Sequence, residues 1–394
     1  MVTIVDDWPK QMTLPARRRV AVLINDMNAA GGIQRVASKL VRDLGERYQT
    51  TLLSVEPLAG PIFYEEGLDF QSLELRRNSV SHGRLIADLV AIGRRLRRRV
   101  RELRIDTVLA LWYDMATVAA FALPSSVKRV GCEHIAYSQA TPSWRFIRSV
   151  SYRRLDAIVG LTREDLPLLA KIAKHAEVIP NYIDATPVLN AQDRQKILLT
   201  VGHLDARKGV DRLLWALKQT LIDHPDWKLV VVGGGEKGYV DWGYLDYVST
   251  LIKLLQLEGR VEFHPATNRI EDWYRRASVY VLGSRMEGLP MVLIEAKAYG
   301  LPIVSFDCPT GPKEIVRDGI DGYLIGNDSF AFGEAVAALI KDANRRGRMS
   351  DAALEDVRQR FSPSVVLNRW HELIEGLHVK EGVLGRRSEA PSWP

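Results

Sequence analysis

The sequence predicts an α/β protein of two doubly wound domains that face each other across a cleft. Two observations carry this prediction. Short apolar segments typical of buried strands alternate with longer amphipathic segments typical of helices, and this alternation occurs twice, with a break between the two series. A chain of 394 residues, 46% of them apolar, can bury a core in each of two domains. Such strands form parallel sheets, so ligands are expected at their carboxyl ends.

The first series, residues 1–183, opens on an apolar strand at Val20–Ile24 and a loop that ends at Gly31 and Gly32, before an amphipathic helix. Two glycines at a helix start let backbone N–H groups approach an anion, although an ordinary strand-to-helix turn explains them as well. Further strands are predicted in TTLLSV, DTVLALW, KRVGCEH and DAIVGLT.

The alternation breaks between Ile179 and Gln195, where two prolines and polar residues predict a linker at residues 184–196. A final helix at about residues 364–380 is expected to pack back on the first domain, and residues 381–394 are predicted to be disordered. The second series, residues 197–363, contains six strand-like segments: ILLTVGHL, KLVVVGGG, RVEFHP, SVYVLGS, LPIVSFD and DGYLIG.

Cysteine content and charge exclude several kinds of protein. Cys132 and Cys308 lie far apart without metal-ligand spacing, so neither a disulfide framework nor a zinc site is predicted. No apolar segment approaches the roughly 20 residues that span a bilayer, and a cytoplasmic protein is expected. The basic run Arg94–Arg104 is either a solvated helix face or a contact with an anionic membrane. Nucleic acid is not expected, because no aromatic residues are interleaved for base stacking.

The segment VVVGGGEKG has the spacing of a dinucleotide-binding loop, through Gly233, Gly235 and Gly238. An NAD(P)-dependent oxidoreductase is therefore one alternative. The next predicted strand ends in His264 and Pro265, where a ribose-binding acidic residue would be needed, and this argues against it.

Two glutamates interrupt the apolar stretch SRMEGLPMVLIEAKAYGLPIV. Glu287 lies in a loop, and Glu295 lies among apolar neighbours on the following helix, which Gly300 ends. Glu295 alone could pair with a buried arginine or lysine, and Glu287 could be a capping charge. The two together favour a nucleotide sugar, because a helix N-terminus attracts a diphosphate and carboxylates accept hydrogen bonds from sugar hydroxyls.

The segment EGLPMVLIEAKAYGLPIV resembles the E-x7-E signature of retaining glycosyltransferases of family 4, which have the GT-B fold of two Rossmann-like domains. The resemblance covers nearly the whole chain. It implies that Glu287 contacts the donor sugar and that Glu295 holds the ribose, with Gly288 and Leu289 also in the donor site. His134, in GCEHIAYS, resembles the family histidine that faces the donor sugar.

The family's diphosphate clamp is an arginine after a glycine, followed by a lysine before another glycine. In VGHLDARKG, Lys208 matches the lysine, but His203 stands where the arginine is usual. Arg207 either supplies the missing contact or points to solvent. By the same resemblance, Gly31 and Gly32 belong to the donor site.

The resemblance implies transfer of a hexose or N-acetylhexosamine from a nucleoside diphosphate sugar, most simply a UDP-sugar, with no further cofactor. The segment FDCPTGPKEIV resembles a loop of members that build bacterial surface polysaccharides, so a glycan or lipid-linked acceptor at the inner membrane face is expected. The chain has no Asp-x-Asp motif, and no metal requirement is predicted. A non-catalytic nucleotide-sugar-binding scaffold of the same fold is the remaining alternative, which the departure at His203 favours.

Overall fold

The computed structural model describes residues 17–28, 31–60, 62, 67–75, 82–184, 194–234 and 240–379. The first sheet has seven strands in the order β3-β2-β1-β4-β5-β6-β7, and the pairs β1–β2, β1–β4, β2–β3 and β6–β7 are parallel. Its elements, in chain order, are β1 (Arg19–Ile24), α1 (Gly32–Leu44), β2 (Gln49–Ser54), β3 (Phe70–Ser72), α2 (His82–Glu102), β4 (Thr107–Leu111), α3 (Tyr113–Ala122), β5 (Lys128–Cys132), α4 (Pro142–Ser151), β6 (Ala157–Gly160), α5 (Leu166–Ala170) and β7 (Ala176–Val178).

The second sheet has six strands in the order β10-β9-β8-β11-β12-β13, and every neighbouring pair is parallel. Its elements are β8 (Ile197–Val201), α6 (Val210–Asp223), β9 (Lys228–Gly234), α7 (Trp242–Leu254), β10 (Val261–Pro265), α8 (Ile270–Arg276), β11 (Val279–Leu282), α9 (Met291–Ala298), β12 (Ile303–Phe306), α10 (Pro312–Ile315), β13 (Gly322–Ile325), α11 (Ser329–Lys341), α12 (Ala343–Arg360) and α13 (Pro363–His378).

Two parallel sheets with helical crossovers confirm the α/β fold class. Each strand predicted from the sequence is present. Most of them are buried on both faces, and such strands are continuous apolar runs. The strands β3 and β7 were not predicted. Each has only three half-buried residues at an edge of the first sheet, too few to give a pattern.

The chain divides by packing into two compact units, one of Met1–Leu111 with Val118–Val130 and one of Trp112–Thr117 with Gly131–Pro394. The domain boundaries proposed from the sequence stay a prediction. The predicted final helix corresponds to α13, where the Arg369 guanidinium lies 3.3 Å from the Glu177 carboxylate of β7. Most of the predicted linker, Gly235, Gly238 and residues 381–394 lie outside the described ranges.

Helix α9, which carries Glu295, is held on its buried side by an ionic cluster. The Lys297 ammonium is fully buried and donates to the Ile315 carbonyl at 2.8 Å and to Asp321 at 2.9 Å, and it also pairs with Asp356. Burial lowers the pKa of Lys297, while the two carboxylates oppose that shift. A buried ammonium that lost these partners would be costly, so the cluster defines how α9 packs.

None of the helices in the described ranges is both long and apolar enough to cross a membrane.

Candidate active site

The loops that follow β8 and β11 touch backbone to backbone. Gly209 has a φ of +66°, the left-handed region that favours glycine, and a Cβ there would lie 2.1 Å from the Gly283 carbonyl oxygen. A Cβ on Gly283 would lie 2.3 Å from the Gly209 carbonyl oxygen. Glycine at both positions lets the two loops meet, and the side chains that they carry meet with them.

An ion pair between these two loops joins Lys208 and Glu287. The Lys208 ammonium lies 2.7 Å from Glu287 Oε1, which also accepts a 2.6 Å hydrogen bond from the Ser284 hydroxyl. Glu287 is 7% exposed and the Lys208 side chain 17%. A Cβ on Gly202 would lie 3.3 Å from the Cδ and Cε carbons of Lys208, so the lysine stem packs along that backbone. The pair is therefore held in place from both loops.

The backbone of Glu287 is fixed by the loop that follows β12. The Glu287 N–H donates to the Pro309 carbonyl at 2.8 Å, and the Thr310 N–H donates to the Glu287 carbonyl at 3.0 Å. Gly311 allows the close approach, since a Cβ there would lie 2.0 Å from the Gly288 carbonyl oxygen. The segment FDCPTGPKEIV thus supports the Glu287 turn, and this is a structural reason for its glycine.

His134 lies against the same turn. A Cβ on Gly288 would be 2.9 Å from the His134 carbonyl oxygen, and the Gln139 amide donates to the Glu287 carbonyl at 3.2 Å. His134 Nε2 is buried and has no hydrogen-bond partner among the described residues. Burial lowers the pKa of His134 to about 4, so the imidazole is neutral at pH 7. A neutral imidazole can hydrogen-bond a sugar hydroxyl without adding charge.

A buried ion pair that sequence reasoning missed supports the His134 segment. Glu133, 4% exposed, lies 2.6 Å from the fully buried guanidinium of Arg148, and the Tyr152 hydroxyl donates to the Glu133 carboxylate. The guanidinium also lies over the ring of Tyr137, 4.4 Å from its centroid. Burial raises the pKa of Glu133, and the positive charge of Arg148 opposes that shift. Arg148 reads in sequence as one more basic residue on a helix, and nothing in the pattern marks it as buried.

Glu295 lies on α9 and is 9% exposed. Its Oε2 accepts a 2.8 Å hydrogen bond from the Tyr274 hydroxyl. Burial raises the pKa of Tyr280, and the negative charges of Glu295 and Glu287 raise it further. Glu287 thus lies in the loop that follows β11, and Glu295 lies on the helix after that loop.

The residues predicted to clamp the diphosphate are not equivalent in the structure. Arg207 is 51% exposed and its guanidinium lies 3.7 Å from Asp205, which favours the solvent-facing alternative. Partial burial lowers the pKa of His203, and the positive charges of Lys208 and Arg207 lower it further. Lys208 is thus the cation of this loop that contacts Glu287.

A second arginine near the site was missed. Arg285 makes a two-pronged ion pair with Asp211, at 2.9 and 2.6 Å, and donates to the Ala206 carbonyl at 2.6 Å. The Tyr244 hydroxyl also donates to Asp211, at 2.7 Å. These contacts tie the loop after β11 to the first turn of α6, and they reinforce the approach of Gly209 to Gly283.

The remaining predicted residues have separate surroundings. Leu289 is 7% exposed and packs in the apolar core with Leu293, so its side chain is structural. Gly31 caps α1 and Gly32 begins it, in the other compact unit. In the part of the chain that the structure describes, no three His, Cys, Asp or Glu side chains are grouped as a metal site would require.

Comparison with known proteins identifies the family. Residues 30–186 match the family described as Glycosyltransferase Family 4, and residues 184–356 match Glycosyl transferases group 1. An uncharacterized glycosyltransferase of Haemophilus influenzae is 31% identical over 317 residues, which cover 78% of this chain and 86% of the relative. The chain belongs to the family 4 glycosyltransferases.

Two further comparisons extend this result. The amylovoran biosynthesis glycosyltransferase AmsD of Erwinia amylovora is 28% identical over 371 residues, 90% of this chain and 99% of the relative. The structure of Anabaena HepE in complex with UDP and glucose matches with a TM-score of 0.73 at 19% identity, covering 90% of this chain and 99% of that one. The fold of this glycosyltransferase is therefore GT-B, as the sequence resemblance implied.

The pKa of His134 predicts a pH dependence of stability. A histidine has an ordinary pKa of 6.5 when the chain unfolds, against about 4 in this glycosyltransferase, so the unfolded state binds more protons. The free energy of unfolding should therefore fall as the pH drops through that interval, by about 2 kcal/mol between pH 7 and about pH 5 from this group alone. Urea unfolding of His134→Gln should show a correspondingly weaker pH dependence.

The matched control is His175→Gln, since His175 is 54% exposed. This variant should keep the wild-type pH dependence. If His134→Gln and the wild type lose stability in parallel on acidification, the neutral buried imidazole is the wrong description.

Proposed function

We propose that this glycosyltransferase is a retaining enzyme that transfers a hexose or N-acetylhexosamine from a UDP-sugar to a glycan or lipid-linked acceptor in bacterial surface polysaccharide synthesis. The observation that carries the proposal is the Lys208–Glu287 pair, an ammonium and a carboxylate 2.7 Å apart beyond the carboxyl ends of parallel strands. The AmsD relative and the UDP-bound HepE structure support the polysaccharide and the nucleotide respectively.

In this proposal Lys208 binds the diphosphate of the donor. Negative charge grows on the diphosphate as the sugar leaves, and a cation that is already fixed in place stabilises that charge without reorganising. The N-terminus of α9, which follows the Glu287 turn, adds a favourable partial positive charge. Lys208 and this helix end then provide much of the positive charge that the family arginine, here replaced by His203, would provide.

Glu287 and His134 are proposed to hold the donor sugar. Lys208 and Ser284 both bind Glu287 Oε1, so the Oε2 oxygen retains its capacity to accept a hydrogen bond from a sugar hydroxyl. The neutral His134 imidazole, with its buried Nε2, offers a second uncharged contact. Lys208 and Ser284 hold the Glu287 carboxylate in one position, and such rigidity is what orientation of a reacting sugar requires.

Glu295 is proposed to bind the ribose hydroxyls of the nucleotide. A carboxylate has lone pairs for two adjacent hydroxyl donors, and the Tyr274 hydroxyl fixes its orientation through Oε2. The ionic cluster around Lys297 holds the helix behind it.

We propose retention from the family resemblance, which implies that the departing phosphate accepts the proton of the acceptor hydroxyl. Among the described residues none is assigned as a general base. The proposal requires a first product with the anomeric configuration of the donor, measured by proton NMR, and turnover that persists in EDTA. Inversion of the anomeric configuration would refute the retaining mechanism. Loss of turnover in EDTA would refute the independence from metal ions.

The two glutamates should have separable kinetic effects. Glu287→Gln should lower kcat by roughly 10²- to 10³-fold, the scale seen when one preorganised electrostatic contact is removed. Glu295→Gln should instead raise the KM for the donor by about tenfold and change kcat little, because a ribose contact is made equally in the ground and transition states. Steady-state transfer or donor hydrolysis measures both constants.

The matched control is Glu334→Gln, an exposed glutamate on α11, which should leave both constants unchanged. Equal effects of the Glu287 and Glu295 changes on both constants would contradict the division of roles. Full activity in Glu287→Gln would overturn the site itself.

The proposed membrane contact lies on α2. Arg94, Arg97, Arg98 and Arg101 are exposed and recur at the three- and four-residue spacing of one helix face. Val90, 49% exposed, continues that face by one turn. Each arginine near an anionic lipid surface contributes about 1 kcal/mol of attraction, and salt weakens it.

Changing these four arginines to glutamine should abolish cosedimentation with vesicles of phosphatidylcholine and phosphatidylglycerol, while activity on a soluble acceptor persists. The control removes the same charge elsewhere, at the exposed residues Lys253, Lys341, Arg348 and Arg358. Binding that survives in the α2 variant, or that is lost equally in the control, would exclude α2 as the contact.

A further inference from the structure

A second pocket lies at the carboxyl ends of β12 and β13, outside the donor site proposed above. It is an open depression of about 540 Å³, bounded by the first turns of α6 and α11. That volume falls within the range of about 300–1,000 Å³ found for small-ligand sites. The β12 loop separates it from Glu287, since the Glu287 N–H bonds to Pro309, which itself lines the pocket. Five side chains carry the argument: Arg212, Trp215, Asp307, Asn327 and Ser329.

The formal charges of the residues that line this pocket cancel. The lining contains two arginines, Arg212 and Arg285, and two aspartates, Asp211 and Asp307, and Arg285 is paired with Asp211. Arg212 lies over the Phe306 ring, 3.9 Å from its centroid. The pocket therefore has little net charge to offer an anion such as a phosphate, which would require unpaired cations.

The hydrogen-bonding groups of the pocket are held in defined directions. Arg212 donates to the Ser284 carbonyl at 3.0 Å and to the Asn327 side-chain oxygen at 2.9 Å. The bond to its oxygen orients the Asn327 amide so that its NH₂ group can donate elsewhere. Asp307 and Ser329 are exposed and add acceptors and a hydroxyl. Planar groups locked in this way suit a ligand with several adjacent hydroxyls.

One wall of the pocket is aromatic. Trp215 lies three residues after Arg212 on α6, so the two side chains share a face of the helix. Its side chain is 52% exposed although it is large and apolar. A sugar ring has an apolar C–H face that can cover an indole, and an edge of hydroxyls that can meet the polar groups beside it. An uncharged hexose unit is therefore complementary to both kinds of surface here.

We propose that this pocket is a carbohydrate-binding site for a neutral segment of a glycan. A glycan held there at a second point would stay near the enzyme between transfers, which raises its effective concentration at the reacting site. This proposal depends on the residues that line the pocket and not on the identity of the donor.

The test is binding of the full-length protein to a printed array of neutral and acidic bacterial oligosaccharides, with UDP present at saturation. At least one neutral oligosaccharide should bind, and calorimetric titration of that oligosaccharide should give an affinity at least tenfold weaker in Trp215→Ala and in Asn327→Ala. Phe330→Ala, which changes another exposed aromatic residue outside the pocket lining, should bind like the wild type.

Absence of any neutral oligosaccharide binding, binding of acidic glycans only, or an unchanged affinity in Trp215→Ala would overturn the proposal. An unchanged melting temperature in both pocket variants separates loss of binding from loss of fold. Because the assay needs no turnover, a negative result leaves the Glu287 kinetics untouched, and failure of those kinetics leaves this binding result standing.

Discussion

Lys208 and Glu287 are 79 residues apart in the chain, yet their charged groups meet at 2.7 Å where both side chains are largely withdrawn from water. Such a pair is stable only if the backbone brings the partners together, because desolvation of two charges is costly. The adjacency of β8 and β11 and the close approach of Gly209 to Gly283 do this. The turn that carries Glu287 is itself contacted by the β12 loop and by the His134 segment.

Ion pairs outside the Lys208–Glu287 contact hold the loops and the helix of the site in place. Arg285 and Asp211 tie the loop after β11 to α6, Lys297 holds α9 from behind, and the buried Glu133–Arg148 pair supports the segment that carries His134. A buried ion pair is a poor source of stability, but removal of one partner leaves an uncompensated charge. These clusters therefore favour one arrangement of the loops over its alternatives, and this preorganisation is what electrostatic catalysis needs.

Much of the fold could be predicted from the sequence, because buried parallel strands are continuous apolar runs. The strands β3 and β7 were not predicted, because three half-buried residues are too few to form a pattern. Glu287 and Glu295 stand out as charges in an apolar stretch. Arg148 and Arg285 do not, since a basic residue on a helix or in a loop is most often solvated. The acidic partners of these two arginines lie on other elements of the fold. Because those elements are brought together by the strand order, the local sequence around each arginine does not predict the pairing.

The central claim is that Lys208 binds the donor diphosphate while Arg207 does not. Thermal-shift titration with UDP, GDP and ADP, on the wild type, Lys208→Met and Arg207→Met, tests it directly. UDP should raise the melting temperature of the wild type and of Arg207→Met, and the rise should nearly vanish in Lys208→Met. A UDP shift that survives in Lys208→Met, or no shift with any of the three nucleotides in the wild type, would contradict the account.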